Sequence, residues 1–384
     1  MLLRVEAFLM LLFINSFLVS AQADDKYRFG GYIKHMDIVS MLSKDSLLSS
    51  ALIHNRLNFK WFASENFSSS LEIRNRLFYG EQIKYNHLLA PVLDADNGLV
   101  DMAFLLSDEK AYKYVINVDR AYLRWNKNNW DMQLGRQRIN WGISLVWNPN
   151  DIFNAASFVD FDYEERAGTD ALRIQYKTAA LSGFEVVASP GKKNQKSIYG
   201  LMYRFNKYKY DIQLFSAFYF KDVALGAGWA GNIKKMGFKG EFTAFKPYWN
   251  LFDNKASFHA GLSMDYTIKG SNYFNLSYLY NSHGSRAISQ VKNITALYVS
   301  DAKNLSPARH SAFFQFSRAF NPLFTASMSN IYLFELKQLF FMPNLSYSIS
   351  DNWDINIIAQ SLFTTNGLFK QDVTTLYGRL RFSF

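Results

Sequence analysis

The chain has 384 residues, a formal charge of +10 at pH 7, no cysteine, and 17% aromatic against 19% charged residues. A disulfide-stapled secreted scaffold is excluded, as is a lipid anchor on cysteine. Beyond the N-terminus no run of about 18 apolar residues occurs, which excludes membrane-spanning helices.

The N-terminus reads as an export signal. Arg4 gives a small basic region, with Glu6 an untidy neighbour. Phe8 to Val19 is an apolar stretch broken by Asn15 and Ser16, and Ala21-Gln22-Ala23 offers a small-x-small cleavage site. The apolar run is too short to span a bilayer comfortably. Residues 1–23 are therefore expected to be a signal peptide, leaving one domain over 24–384. The positive charge alone fits nucleic acid or an anionic membrane. Export removes nucleic acid as a partner.

From Tyr27 the dominant signal is period two. Ala51, Ile53, Leu57, Phe59 and Trp61 share a face opposite His54, Arg56, Asn58 and Lys60. Leu71, Ile73 and Leu77 oppose Glu72, Arg74 and Arg76. Tyr210, Ile212, Leu214, Phe218 and Phe220 oppose Asp211, Gln213 and Lys221. Phe258, Ala260, Leu262, Met264 and Tyr266 oppose His259, Ser263 and Asp265. Trp353, Ile355, Ile357 and Phe363 oppose Asp354, Asn356 and Gln360. Short polar turns at 126–129, 206–209, 269–272, 320–322 and 350–352 alternate with longer links at 81–111, 139–169, 246–254 and 281–308. Such a chain alternates lipid-facing and lumen-facing residues, so averaged hydropathy reads it as soluble. The pattern predicts an all-β, transmembrane, antiparallel up-and-down barrel with both termini periplasmic. About eighteen strands fit with consistent parity, or sixteen if the segments around 222–232 and 332–338 merge. A β-sandwich would not need so many long strands, and a β-helix would show a short repeat.

The last segment places Leu376, Gly378, Leu380, Phe382 and Phe384 opposite Tyr377, Arg379, Arg381 and Ser383. Leu380, Phe382 and the terminal Phe384 resemble the C-terminal signal of outer-membrane barrels. That resemblance implies recognition by the barrel-assembly machinery, and outer-membrane lipids with lipopolysaccharide as surroundings.

Charge at the lipid face costs about 2–4 kcal/mol for Arg or Lys at midplane. The strand-centre cations Arg56, Lys60, Arg74, Arg76, Arg120, Arg124, Arg173, Lys177, Arg379 and Arg381 are therefore expected to line a pore. Closure puts the last strand beside the first, which joins them into one basic wall. The link 139–169 carries Asp160, Asp162, Glu164 and Glu165. Folded inward, it would form an acidic constriction opposite that wall, with a transverse field across it. Left outside, it would be an ordinary solvated charge run. Tyr32, Tyr122 and Tyr219 on inward faces would offer a sugar-stacking track, or simply fill space.

Gly135-Arg136-Gln137-Arg138-Ile139-Asn140-Trp141-Gly142, followed by Asn148-Pro149-Asn150-Asp151-Ile152-Phe153, resembles the Gly-Arg-Gln then aromatic-Gly pattern of alginate-export-type porins. The resemblance covers about twenty residues. It implies an eighteen-stranded barrel with a basic lumen and makes Arg136 and Arg138 candidate pore residues. Strict alternation from Trp130, Met132 and Leu134 points both at lipid instead. A bulge at Gly135 would switch their face.

The six histidines show no metal-binding spacing, and no G-x-S-x-G elbow is present. His259 shares a face with Ser263 and Asp265, as neighbours on a strand often do. No cofactor and no metal is expected. The expectation is a passive outer-membrane pore for small polar or anionic solutes, saccharides among them, with the number of copies left open. The alternatives are a plugged structural or adhesive barrel, a polysaccharide exporter, and an outer-membrane enzyme. The last would be revealed by phospholipid or peptide turnover.

Overall fold

The computed structural model describes residues 26–43, 46–86, 89–96, 98–155, 166, 168–192, 196–250, 256–268, 271–284, 301–365 and 368–384. The expected signal peptide lies outside them, as do Asp160, Asp162, Glu164 and Glu165.

Alternating sequence becomes strand throughout. The first half holds β1 (Tyr27–Ser43), β2 (Ser46–Ser64), β3 (Phe67–Gly80), β4 (Ala103–Asp108), β5 (Tyr112–Lys127), β6 (Trp130–Gln137), β7 (Thr169–Ala179), β8 (Ser182–Ser189) and β9 (Ile198–Lys207). The second holds β10 (Tyr210–Tyr219), β11 (Asp222–Ile233), β12 (Met236–Pro247), β13 (Ser257–Ile268), β14 (Asn272–Asn281), β15 (His310–Ala319), β16 (Phe324–Leu333), β17 (Gln338–Ser350), β18 (Trp353–Thr365) and β19 (Phe369–Ser383). Two short helices, α1 (Glu81–Tyr85) and α2 (Leu89–Asp94), precede β4.

Every ladder is antiparallel, and β19 pairs with β1 from Tyr32↔Ser383 to Met41↔Thr374, so the sheet closes. The ring has eighteen strands. β4 is not a separate stave. It pairs with Lys113–Asn117 of β5, above the place where the short β6 pairs with Ala121–Lys127. The segments at 222–232 and 332–338 do not merge: the first is β11, and the second contains the turn between β16 and β17.

The start of β1 and the C-terminal Phe384 sit at the end of the barrel where the β2–β3 and β17–β18 connections are tight. Four of the turns at that end have a left-handed backbone, at Asn128 (φ 53°), at Tyr208 and Lys209 (φ 54° and 65°), at Lys234 (φ 57°) and at Ser271 (φ 62°). A turn with two positive φ values matches the twist of the flanking strands, which keeps the hairpin in register. Phe384 closes the seam by exchanging two 3.0 Å backbone hydrogen bonds with Gly31.

The apolar stripes face outward. Phe59, Leu71, Leu123, Leu214, Phe218, Leu262, Ile357 and Leu380 are all exposed, whereas Arg56, Arg74 and Arg120 from the alternate positions are buried. A soluble barrel would reverse this. Near the turn end the outward rings pair across strands: Tyr27 with Phe59 (6.2 Å), Trp130 with Tyr176 (4.6 Å) and Trp353 with Phe382 (4.9 Å). Such a girdle of amphipathic rings suits a membrane boundary.

Candidate functional site

The interior has two contrasting sides. On β1, β2, β3, β5 and β19 the inward side chains are long and charged. Arg56 is only 2% exposed. Its guanidinium donates to Asp119 and to Glu72, both at 2.5 Å, and Arg74 donates to the other oxygen of Asp119 at 2.9 Å. Asp119 reaches this position through an irregularity in the ladder. Glu72 pairs with Arg120 but Ile73 pairs with Val118, so Asp119 is the extra residue of a bulge. The bulge turns two adjacent residues, Asp119 and Arg120, to the same interior. Cross-strand neighbours extend the row: Lys34↔Arg381, Lys34↔His54, His54↔Arg76 and Arg56↔Arg74. Charge-assisted hydrogen bonds of this kind offset the cost of burying ionic groups.

On β9 to β11 the inward positions include Gly200, Ala217, Ala224 and Gly228, and a loop fills the space they leave. Residues 138–155 turn into the barrel, where Ile139, Trp141, Asn150 and Asp151 have no exposed surface. The wall is shaped to receive them. A Cβ at Gly200 would stand 2.5 Å from the Trp141 ring, and one at Gly228 would stand 2.7 Å from Ile143 and 2.8 Å from Asn150. Glu241 supplies the main anchor. One carboxylate oxygen accepts the backbone N–H groups of Ile143 and Ser144, each at 2.7 Å, and the other accepts that of Asn150 at 2.9 Å. Thr243 donates to the Pro149 carbonyl (2.8 Å), Gln213 donates to the Trp141 carbonyl (2.5 Å), and the Trp141 indole donates to Glu185 (2.8 Å).

Apolar packing completes the seat. Ile139, Trp141 and Ile152 pack with Val187, Met202, Phe215 and Phe245. Val146 and Trp147 pack with Leu279, Phe313, Ile331, Phe340 and Leu362 on β14 to β18. The loop thus crosses the interior from β8 to β18 and leaves the charged side of β1 to β5 opposite it. On its return, the carbonyl of Arg166 accepts from Arg120 (2.7 Å), and Arg166 donates to Asp151 at 2.5 Å. Burial pushes the Asp151 carboxyl above the usual carboxylate range in spite of Arg166 beside it.

No family model and no curated protein matches the chain. Solved structures do. OccAB4 of Acinetobacter baumannii superposes with a TM-score of 0.59 at 11% identity, covering 94% of this chain and 98% of that one. OpdQ of Pseudomonas aeruginosa gives 0.57 at 7% identity, over 93% and 98%. OccK11 of the same organism gives 0.57 at 8% identity, over 93% and 96%. The fold is a closed eighteen-stranded antiparallel barrel, as the likeness to these structures shows.

Within this fold the sequence-predicted residues divide. Arg56, Arg74, Arg76 and Arg120 come together around Asp119 and Asn117, with Arg76 bonded to Asn117 at 3.0 Å. Arg379 donates to Asn356 (2.9 Å), and Arg381 lies 4.7 Å from the buried Tyr32 ring. Lys60 faces inward nearer the turn end. Arg124 pairs with Asp131, and Arg173 with Glu185 (3.0 Å). Arg124, Asp131 and Glu185, with Gln175, Lys177 and Arg204, line a cavity of about 320 Å³ at that end, remote from Asp119. Tyr219 is buried beside Phe245.

Two expectations need correction. The bulge expected at Gly135 is absent, and the register runs unbroken from Lys127↔Trp130 to Ala121↔Arg136. Gly135 instead has φ 120°, and a Cβ there would strike the Ala121 carbonyl at 2.3 Å. Arg136 does not change face. It is clamped between Asp170 (2.7 Å) and Asp96 (2.6 Å), a carboxylate from the link before β4. Arg138 is exposed at the start of the inserted loop.

The inward faces of β14 to β18 carry Leu279, Phe313, Ile331, Phe340 and Leu362, which give Val146 and Trp147 a dry seat. The His259 grouping does not assemble. His259 stacks on His283 (6.1 Å), Asp265 pairs with Lys239 (3.2 Å), and Ser263 bonds Ser277 (2.9 Å). Sequence reading missed Glu72 and Asp119 as counter-charges and Glu241 as the anchor. Glu72 alternates visibly with Arg74, whereas nothing in the sequence marks the bulge at Asp119.

Proposed function

We propose that this chain is a passive outer-membrane pore for small polar or anionic solutes. The observation that carries the reading is the loop 138–155, held inside a closed barrel and facing a row of arginines. A structural barrel has no need of a narrowed interior with one ionic side. The Occ-type neighbours support it as outer-membrane channels. The outward apolar stripes and ring girdle support a lipid surrounding, with the export signal over residues 1–23 and the Leu380, Phe382 and Phe384 motif as the route to it. In this reading the termini are periplasmic, and Arg76, Arg379 and Arg381 line the passage, backed by the buried Lys34, Arg56 and Arg74. Glu72 and Asp119 offset part of their charge, so the preference for anions is mild. Saccharides fit as well, through Tyr32 and Arg381 side by side. No catalytic role is assigned to any residue.

Planar-bilayer recording under a salt gradient tests this reading. Discrete conductance steps with a reversal potential displaced toward the anion potential are expected. A folded, inserted protein that passes no current would replace the pore with a plugged or adhesive barrel. Turnover of phospholipid or peptide in detergent would replace it with an enzyme.

A further inference from the structure

The arginine row on β2, β3 and β5 is not the only basic place in the lumen. The cavity at the turn end, on the opposite side, is lined by three cations, Arg124, Lys177 and Arg204, and by two carboxylates, Asp131 and Glu185. Both carboxylates are taken. Asp131 accepts from the Arg124 guanidinium through both of its oxygens. Glu185 accepts from Arg173 at 3.0 Å, from Gln175 at 2.7 Å and from the Trp141 indole at 2.8 Å. Lys177 and Arg204 stand in no ion pair among the described residues. With Arg124 matched by Asp131 and Arg173 by Glu185, these two positive charges are left over.

The registers explain why they share one space. Lys177 on β7 pairs with Gly183 on β8, and Gly183 pairs with Arg204 on β9. The three inward positions form one cross-strand row, and the middle one has no side chain. Neighbouring strands lie about 4.8 Å apart. The two cations therefore rise about 10 Å from each other, with only the glycine backbone as floor between them. Their long stems let an ammonium and a guanidinium close on one ligand from both sides. A Cβ at Gly183 would stand 2.6 Å from the Tyr176 carbonyl, so the gap does not readily take a side chain of its own. Gln175 and Asn126 add uncharged polar groups to the lining.

The cavity also abuts the inserted loop. Arg204 donates to the Asn140 carbonyl at 3.4 Å, and Glu185 holds Trp141. Met202, which packs with Trp141, stands two residues further from the β9–β10 turn than Arg204 does, so the cavity lies on the turn side of the loop. A solute that has passed between the loop and the arginine row meets it next. We infer that this cavity is a second anion site, which takes one small oxyanion of two negative charges between Lys177 and Arg204 over Gly183. One such ion matches both leftover cations through charge-assisted hydrogen bonds. The inference deepens the pore reading and rests on it only for the route by which the ion arrives.

Titrating the folded protein in detergent with inorganic phosphate, at mildly alkaline pH, reads the site without any current. Expected is saturable binding that sulfate displaces and chloride at matched ionic strength does not. Lys177→Gln and Arg204→Gln should each weaken it about tenfold or more. Both side chains are exposed and make no ion pair among the described residues, so the fold tolerates either change. Lys127→Gln with Lys207→Gln removes two cations from the same end but outside the lining. That variant should change the affinity less than about twofold, because salt screens exposed charges at such distances. A wild type without saturable phosphate binding would overturn the inference. So would an equal loss in the Lys127 and Lys207 variant, which reduces the site to net charge. Unchanged affinity in the Lys177 and Arg204 variants would overturn it too, by moving the ion to the arginine row. Chloride conductance of the same preparations in planar bilayers separates the two readings. A protein that conducts but binds no phosphate loses only this site, whereas phosphate binding without current removes the pore and leaves the site standing.

Discussion

The two sides of the interior solve one problem in opposite ways. On β1, β2, β3 and β5 the inward positions carry long cations, and the space is filled by pairing them with Glu72 and Asp119. On β9 to β12 the inward positions include Gly200, Ala217, Ala224 and Gly228, and the space is filled by a segment of loop. The alternation is the same on both sides. Inward side-chain volume decides whether a wall stands free or receives a loop. The charged side holds its shape through ion pairs, and the loop side holds its shape through one carboxylate, Glu241, and the backbone it grips.

The largest test of this contrast is to cut that grip. Glu241→Leu leaves the buried N–H groups of Ile143, Ser144 and Asn150 without their acceptor. Each costs about 1–3 kcal/mol, which outweighs what the Trp141 and Thr243 bonds return. The loop is expected to leave the interior, raising single-channel conductance several-fold and exposing 138–155 to protease. Glu241→Gln, which keeps one acceptor oxygen, should do less. Unchanged conductance in Glu241→Leu would show that the apolar seat of Trp141 and Trp147 holds the loop unaided.

On the charged side the corresponding cut is Asp119→Ala. It takes the shared carboxylate from Arg74 and from Arg56, which keeps Glu72, and is expected to cost about 3–5 kcal/mol, the usual penalty for breaking a buried pair, read as loss of resistance to urea unfolding. Asp119→Asn preserves shape and removes the charge together with one of the two acceptor oxygens. In bilayers its reversal potential should move further toward the anion potential, and a move toward the cation potential would remove this row from the ion path.

Much of this architecture was readable in the chain. Period two gave the strands, their facing and the closing seam, because one side of each strand meets a different medium from the other. The inward insertion of the long link was readable only as one of two options. What decided it, the small residues Gly200 and Gly228 opposite Trp141 and Asn150, lies 59 and 78 residues away in the chain and has no local signature. Asp119 was hidden for another reason. A bulge adds one residue to one strand, so strict alternation assigned its face wrongly and made the row look more basic than it is. Arg136 shows the converse: an inward placement needed a face switch at Gly135, but the register runs on without one and Arg136 is held by Asp170 on the adjacent β7 and by Asp96 on the link before β4.

A smaller effect is expected at the edge of the charged side. Arg379 and Arg381 bond to the neutral partners Asn356 and Ser383, so replacing both with Gln breaks no carboxylate pair among these bonds. Stability should change by less than about 1 kcal/mol, while the anion preference falls toward parity. Retention of the full preference would locate selectivity at Lys34, Arg56 and Arg74 instead.

The smallest effect concerns pH, where the wall above β6 meets the link before β4. Asp96 accepts from the amides of Gly98 (2.7 Å) and Met102 (2.8 Å) as well as from Arg136. Burial opposes its ionisation, but Arg136 and the two amides outweigh that and hold its carboxyl below the usual carboxylate range. A depressed carboxyl stabilises the fold fully above its unfolded value, about 3.9, and loses that contribution as the pH falls through its folded value. Amide exchange at Gly98 to Met102 should therefore be flat from about pH 5 to 8, once corrected for intrinsic rates, and should accelerate only below about pH 4. Asp96→Asn keeps an acceptor for the amides but loses the charge facing Arg136. It should exchange faster at neutral pH and show no acid step of its own. Loosening of the wild type between pH 5 and 7 would point to a different titrating group and remove Asp96 as the tie between link and wall.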